Sequence, residues 1–242
     1  MTELSSNVAL SSQMVLQRDF EITTNNIANM KTGGFERRLM PYSEAKVNPA
    51  LGKKYSFVED LAVIRDLSPG VLQSTGDPFH VYASQGYFGV NTPEGVRYTK
   101  NGAFTLNDES MLVTAQGHPV LDNNNAPIIL PEGTVTINIA SDGTISDQNG
   151  LIAQLGRFNF ENPYDMTALE DTLFETQQAA FEDTKARITQ GGYDGGNVNP
   201  VIETTKMTYL LRRIQHTQKI IEGNSQLESM TTQKLLKTAS AA

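Results

Sequence analysis

The chain contains no cysteine among its 242 residues. This absence excludes disulfide bonds, zinc–thiolate sites and thiol catalysis, and it suits a protein that passes through an oxidising compartment. No apolar run reaches the length that spans a bilayer, so we expect no direct membrane insertion. The first residues, MTELSSNVALSSQMVLQ, have no basic start and no continuous apolar segment. We therefore also expect no cleavable signal peptide.

Positive charge is scarce, with 19 Lys and Arg against 27 Asp and Glu and a net charge of −8. No basic run occurs, so we expect no nucleic-acid partner. The charge is also uneven: residues 1–38 are net neutral and residues 201–242 carry +3, which leaves −11 for the middle. The two ends and the middle therefore differ in composition.

Motifs for catalysis and metal binding are absent. The histidines at 80, 118 and 216 are not spaced as a metal pair, and no nucleophile elbow, phosphate loop or dinucleotide fingerprint occurs. DNNNAP at 122–127 has the composition of a calcium loop but lacks its central glycine and closing glutamate, which favours a hairpin turn. We expect no enzyme activity, no cofactor and no metal site.

Residues 4–29 are predicted to form a helix with one apolar stripe. Val8, Val15 and Ile22 recur every seven residues, as in a helix that packs on another helix. One narrow stripe does not stabilise an isolated helix in water. The alternative is a surface helix of a globular domain.

A second helix is predicted over 201–236, after a start signal at Asn199 and Pro200. Its seven-residue apolar repeat consists of Met207, Ile214 and Ile221, and two further apolar residues, Leu210 and Leu211, lie between them. Because each terminal helix has one stripe, we expect the two to pair in a coiled-coil-like domain.

The middle of the chain, from about 55 to 190, is rich in glycine, turn dipeptides and β-branched residues. Asn101-Gly102 predicts a hairpin turn. The alternation of Val135, Ile137 and Ile139 before Asp142-Gly143 predicts a strand followed by a turn. Many short strands at this spacing predict an all-β barrel or sandwich. With the paired helices, the fold class is α+β.

The predicted organisation has four segments. The N-terminal helix occupies 1–35, and an extended linker with Pro41, Pro49 and Gly52 follows over 36–54. The β domain is predicted over 55–195, and the C-terminal helix over 196–242.

NNIANMKTGGF at 25–35 resembles the N-terminal signature of the flagellar rod and hook family. The likeness continues in order through the segments at 95–121, 142–146 and 188–207, and it covers nearly the whole chain. The chain length resembles the shorter, proximal rod members more than the longer distal rod and hook members. The matching signature residues are Asn25, Asn26, Ala28, Asn29, Thr32, Gly34 and Phe35.

This resemblance implies a structural subunit of the basal-body rod, a tubular axle that transmits torque and surrounds the export channel. It also implies export by the flagellar type III apparatus, assembly in the periplasm, and contacts with other rod proteins and further copies of the chain. The expected assembly residues are Val8, Val15, Ile22, Asn25, Asn26, Asn29, Phe35, Asn197, Asn199, Met207, Leu210, Ile214 and Ile221.

The asparagines at 25, 26 and 29 have two explanations. Their side chains both donate and accept hydrogen bonds, so they either join neighbouring subunits or cap the end of the helix. Gly34 is expected to take a positive φ, and Phe35 to anchor the chain that follows. Other readings of the whole chain are a distal rod or similar axial protein, an oligomeric β-domain binding module on a helical stalk and, third, an enzyme.

Overall fold

Helices occupy the two ends of the chain and short antiparallel strands its middle in the computed structural model. The structure describes residues 2–46, 56–60, 63–131, 134, 136–183 and 187–239. The contacts divide the chain into two units. The helical unit comprises Met1–Ala28, Arg38–Ile64 and Asn199–Ala242, and the β unit comprises Asn29–Arg37 and Arg65–Val198. The fold is α+β, as predicted.

The helical unit is built on two long helices, of 27 and 40 residues, that pack on each other. Strands β2 and β3 pair antiparallel, with Tyr42 opposite Asp60. The elements up to residue 65, with the second helix, are α1 (Thr2–Ala28), β1 (Arg38–Leu39), β2 (Tyr42–Lys46), β3 (Ser56–Asp60), β4 (Ile64–Arg65) and α2 (Pro200–Ala239).

One face of α2 is withdrawn from solvent between residues 203 and 224. Its buried or half-buried positions include 203, 207, 210, 214, 217, 221 and 224, which alternate by four and three residues. The predicted residues Met207, Leu210, Ile214 and Ile221 all lie in this row. Leu211 does not belong to it and is 41% exposed, because one step along a helix turns the side chain by about 100°.

The facing stripe of α1 agrees only in part with the predicted heptad. Ile22 is buried and Val15 is half-buried, whereas the side chain of Val8 lies outside the described residues. Leu16 is also buried, although it is not one of the predicted positions.

The chain predicted as an extended linker over 36–54 contains regular structure. Residues 42–46 form β2 and pair with β3, whose sequence SFVED lies in the predicted β domain. Backbone pairing of this kind needs no apolar alternation, so a search for periodicity did not predict it. The predicted boundaries of the four segments remain a prediction.

The β unit contains fifteen strands in the described part of the chain, all paired antiparallel. They are β5 (Leu72–Ser74), β6 (Val81–Ala83), β7 (Tyr87–Thr92), β8 (Gly95–Thr99), β9 (Thr105–Leu106), β10 (Leu112–Val113), β11 (Asn138–Ile139), β12 (Thr144–Asp147), β13 (Gly150–Gln154), β14 (Arg157–Asn159), β15 (Thr167–Ala168), β16 (Leu173–Glu175), β17 (Phe181–Glu182), β18 (Ile188–Gln190) and β19 (Gly192–Asp194). The largest sheet has the order β15-β16-β8-β7-β14-β17.

Apolar clusters lie on both faces of this six-stranded sheet. Successive residues of a strand point to opposite faces, and in β7 Tyr87 belongs to one cluster while Phe88 belongs to the other. The smaller cluster contains mostly aromatic residues, and the larger contains Leu155 and Ile145 with eleven further buried residues. A sheet covered on both faces explains why four consecutive residues of β7 are buried.

The two predicted turn signals have different outcomes. Asp142-Gly143 connects β11 to β12, which pair as a hairpin, and Gly143 has φ +87°. Asn101-Gly102 does not close a hairpin, because β8 pairs with β7 and β16 whereas β9 pairs with β10. The predicted hairpin there is wrong. Gly102 is instead required by close approach, since a Cβ would lie 1.7 Å from the Val81 carbonyl oxygen.

Two leucines four residues apart test the core of the β unit. Leu155 is fully buried in the larger cluster, and Leu151 is 74% exposed. We expect Leu155→Ala to lower the free energy of unfolding by about 2–5 kcal/mol, because it leaves a cavity. Leu151→Ala should change it by no more than about 0.5 kcal/mol. Urea unfolding followed by far-UV circular dichroism measures both, and equal effects would contradict this placement of the core.

Candidate functional site

The predicted assembly residues lie in both units. Most are in the helical unit, on α1, on α2 or at the start of α2. The three that belong to the β unit are Asn29, Phe35 and Asn197.

Asn26 is fully buried near the C-terminal end of α1. Its side-chain amide forms hydrogen bonds with the backbone of strand β1. Its Oδ1 accepts a 2.9 Å hydrogen bond from the Arg38 backbone N–H, and its Nδ2 donates a 2.9 Å bond to the Arg38 carbonyl oxygen. The same Nδ2 lies 3.3 Å from Glu203 Oε2. An amide side chain both donates and accepts hydrogen bonds, so it can pair with the N–H and C=O groups of one residue as a neighbouring strand would.

Polar side chains also occupy the seam between α1 and α2. Glu203 is fully buried, and Asp19, only 2% exposed, accepts a 2.7 Å bond from Lys206 Nζ. The apolar heptads of the sequence do not indicate these residues, because they are charged. Their spacing carried a signal: Asp19 lies seven residues before Asn26, and Glu203 seven before Leu210.

Asn199 caps α2, as the sequence predicts. Its Oδ1 accepts bonds from the backbone N–H groups of Val201 (3.0 Å) and Ile202 (3.3 Å), and Pro200 opens the helix. This satisfies amide groups that have no partner inside the first turn of a helix.

The chain from 29 to 35 turns sharply within the β unit. The Thr32 backbone N–H bonds the Asn29 carbonyl oxygen at 3.0 Å, and Gly34 has φ +70°, so its predicted positive φ is confirmed. A Cβ on Gly34 would lie 2.4 Å from the Asn101 backbone nitrogen. Phe35 follows and is buried, which agrees with its predicted anchoring role.

Glu36 is the most enclosed charge of this segment, with 2% of its side chain exposed. Its Oε2 lies 2.6 Å from Arg65 Nη1, and its Oε1 lies 2.7 Å from Lys100 Nζ. Tyr87 donates a 2.9 Å hydrogen bond to the same Oε1. Arg65 also donates to the Pro163 carbonyl oxygen. A buried carboxylate is tolerated only with such partners. No local pattern of the sequence predicts this cluster.

Asn197 joins two further stretches of the β unit. Its Oδ1 accepts a 2.7 Å bond from the Arg37 backbone N–H, while its Nδ2 donates to the carbonyl oxygens of Asp66 and Ser68 at 2.8 and 3.1 Å. Asp194, close by in sequence, accepts bonds from Gly196 and Gly70. Burial raises the pKa of the Asp194 carboxyl.

The described residues include no group of three His, Asp or Glu side chains placed to hold a metal ion. In the same part of the chain, neither helix contains a stretch long and apolar enough to cross a membrane.

Comparison with known proteins identifies the family. A family model described as the flagellar hook protein FlgE/F/G D1 domain matches residues 83–147. The flagellar basal-body rod protein FlgF of Caulobacter vibrioides is 32% identical, over 94% of this chain and 96% of that protein. The chain belongs to the flagellar rod and hook protein family. FlgF of Salmonella typhimurium is also 32% identical, over 88% and 91% of the two chains.

The chain is therefore a structural rod subunit and not an enzyme. The FlgG rod protein of Bacillus subtilis is 26% identical over 90% of this chain and 94% of its own length. Because the FlgF relatives from Caulobacter and Salmonella are both more similar, the chain resembles FlgF more than FlgG. The matched D1 region lies entirely in the β unit, between β6 and β12.

The Glu36 cluster makes a testable contribution to stability. Glu36→Gln keeps the size of the side chain but leaves two buried cations without their counter-charge. We expect a loss of about 3–5 kcal/mol in the free energy of unfolding. Glu94→Gln is the control, since Glu94 is 81% exposed and lies 3.6 Å from Arg97; it should cost less than about 1 kcal/mol. Similar urea midpoints for both variants would rule out a stabilising role for the cluster.

The melting temperature of the chain at alkaline pH tests the contribution of Tyr87 to the same cluster. Burial, and then the neighbouring Glu36 carboxylate, raise the pKa of the Tyr87 phenol well above its ordinary value of 10.0. The folded chain thus binds the phenol proton more tightly than the unfolded chain does. The resulting contribution to the free energy of unfolding is complete below pH 10 and is lost as the pH rises from 10 towards the pKa of the folded chain. Tyr87→Phe should show a shallower fall in melting temperature between pH 9 and 11. An unchanged slope would show that Tyr87 does not cause the fall.

Proposed function

We propose that this chain assembles with copies of itself and with other rod proteins into a tubular axle that transmits torque and surrounds the export channel. Export by the flagellar type III apparatus without a cleavable signal peptide, and a location in the part of the basal body that crosses the periplasm, belong to the same proposal. The observation that carries it is a second apolar stripe on α2.

This second stripe lies beside the seam with α1, about 100° around the helix from it, because Ile202, Tyr209 and Ile220 each precede a residue of the withdrawn row by one position. Ile202, Tyr209, Ile220 and Leu227 are spaced by seven, eleven and seven residues, which keeps them on one side of a helix. They are 54%, 54%, 47% and 58% exposed. None of them belongs to the row of α2 that is withdrawn from solvent. Side chains of this size on one exposed face indicate an interaction surface.

The occupant of this stripe is the terminal helices of a neighbouring subunit. A rod is a repeating structure, in which head-to-tail contacts on different faces of each subunit propagate along a helical lattice. Helix α2 then packs with one face on its own α1 and with another face on a neighbouring subunit, as such a lattice requires. The stripe and the heptad row also support a coiled-coil-like packing of the helices.

The predicted assembly residues divide into two groups within this proposal. Those buried in the helical unit, among them Ile22, Asn26 and Leu210, shape the helix pair that is presented to the neighbour. Those half-buried along the helices are close enough to the surface to contribute to the contact itself: Val15, Asn25, Met207, Ile214 and Ile221.

In the same proposal the β unit forms the outer wall of the axle. Its six-stranded sheet is covered on both faces, which supports a sandwich-like arrangement of layers. Asn29, Phe35 and Asn197 then fix the first and last segments of this wall through the contacts described above.

A pair of aspartate substitutions tests the stripe. Ile220→Asp places a charge where a neighbouring helix is expected, and a buried unpaired charge costs several kcal/mol. Cells with this variant should lose swimming motility and yield no complete rods, while the protein is still exported. The control is Gln218→Asp, on the same helix turn and exposed but off the stripe; it should swim normally.

The fold must be intact for this comparison to be decisive. Because Ile220 is 47% exposed, the far-UV circular dichroism of the purified variant should match that of the unchanged chain. Normal swimming of the Ile220→Asp strain would refute the stripe as an assembly surface. Loss of swimming by both variants would do the same, since the effect would not depend on the face.

A further inference from the structure

The hairpin between β12 and β13 contains an Asn-Gly dipeptide held by a single carboxylate. Asp147 is paired with Gly150 in the antiparallel register, so Gln148 and Asn149 form the two-residue loop. Both Asn149 and Gly150 are exposed, and a Cβ built on Gly150 meets no atom within 4 Å. This turn of the hairpin is therefore open to solvent.

Asp147 contacts both nitrogens that matter for chemistry at this dipeptide. Its Oδ1 accepts a 3.0 Å hydrogen bond from the Gly150 backbone N–H, and its Oδ2 accepts a 3.2 Å bond from the Asn149 side-chain amide Nδ2. A third bond, 2.7 Å long, joins Oδ1 to the Asn149 backbone N–H and fixes the carboxylate in place. Held in this way, the carboxylate serves as a positioned proton carrier.

We propose that Asn149 is a self-modification site that converts to aspartate and isoaspartate, with Asp147 transferring the proton. The Gly150 nitrogen attacks Cγ of Asn149 and forms a five-membered succinimide. Its proton passes to Asp147, which returns it to the departing Nδ2, so that the Cγ–N bond breaks and ammonia leaves. Water then opens the ring at either carbonyl group. The net reaction consumes one water, releases one ammonia and involves no oxidation or reduction.

The second Asn-Gly dipeptide of the chain provides an internal comparison. Asn101 Oδ1 accepts a 3.0 Å bond from the Ala103 backbone N–H, and no carboxylate contact is found for Asn101 in the described residues. Gly102 is buried and packed against Val81, whose carbonyl oxygen would lie 1.7 Å from a Cβ on Gly102. The same dipeptide is therefore enclosed at 101–102 and accessible at 149–150.

The modification changes the charge and the backbone of the hairpin. Either product carries a new carboxylate within two residues of Asp147, and isoaspartate also lengthens the main chain by one methylene. Like charges this close repel each other, so the Asp147–Gly150 end of the hairpin should loosen as the modification accumulates.

Peptide mapping of the purified full-length chain tests the proposal. After incubation at pH 8 and 37 °C, mass spectrometry and enzymatic methylation of isoaspartate should find product at Asn149 at least about a hundred times faster than at Asn101, because a positioned proton carrier typically contributes about 10²–10⁴-fold. Asp147→Asn should slow the reaction at Asn149 by a similar factor and leave Asn101 unchanged. Asn149→Gln should abolish the product at that site.

The rates of modification at Asn149 and Asn101 in urea test the proposal without any substitution. Unfolding removes the positioned carboxylate and the packing around Gly102, so the rates at the two sites should converge. Equal rates in the native chain would overturn the proposal. An unchanged or faster rate in Asp147→Asn would also overturn it, because Asp147 would then only hold the turn closed.

Discussion

The buried carboxylate of Glu36 is the interaction on which the arrangement of the β unit depends. An ion without water requires counter-charges and hydrogen bonds of good geometry, and here it receives Arg65, Lys100 and Tyr87 from three distant parts of the chain. Arg65 belongs to β4, Lys100 directly follows β8, and Tyr87 begins β7. Glu36 thus determines where the chain that leaves α1 is held, and Gly34 and Phe35 on one side of it adopt their conformations within that constraint.

Polar and apolar contacts have separate roles in the helical unit. The seam between α1 and α2 is specified by directional bonds of Asn26 with Glu203 and of Asp19 with Lys206. Such bonds select one register, because a shifted helix would leave buried polar groups without partners. The large apolar side chains on the second face of α2 impose no register of this kind. If the exposed stripe of α2 is the assembly surface proposed above, the pairing within the chain and the contact between chains can be altered independently.

Sequence patterns predicted the elements better than the contacts between them. The α2 heptad, the Asn199 cap, the positive φ of Gly34 and the turn at Asp142-Gly143 follow from local chemistry, and each was found. The β2–β3 pairing joins neighbouring segments without apolar alternation, so periodicity does not predict it. The role of Asn101-Gly102 depends on Val81, a partner far away in sequence, which local patterns do not contain. The Glu36 cluster was missed for the same reason, since its four members are separated by at least thirteen residues along the chain.

The unequal lengths of the two helices have a mechanical consequence. Helix α2 has 40 residues and α1 has 27, a difference of about 20 Å at 1.5 Å per residue. Asn26 and Glu203 place the end of α1 beside the start of α2, so the surplus lies at the far end of α2. In the rod proposed above, this surplus of α2 would overlap the next subunit along the axis. Twisting would then be resisted by contacts along the sides of helices and not only by contacts between subunit ends.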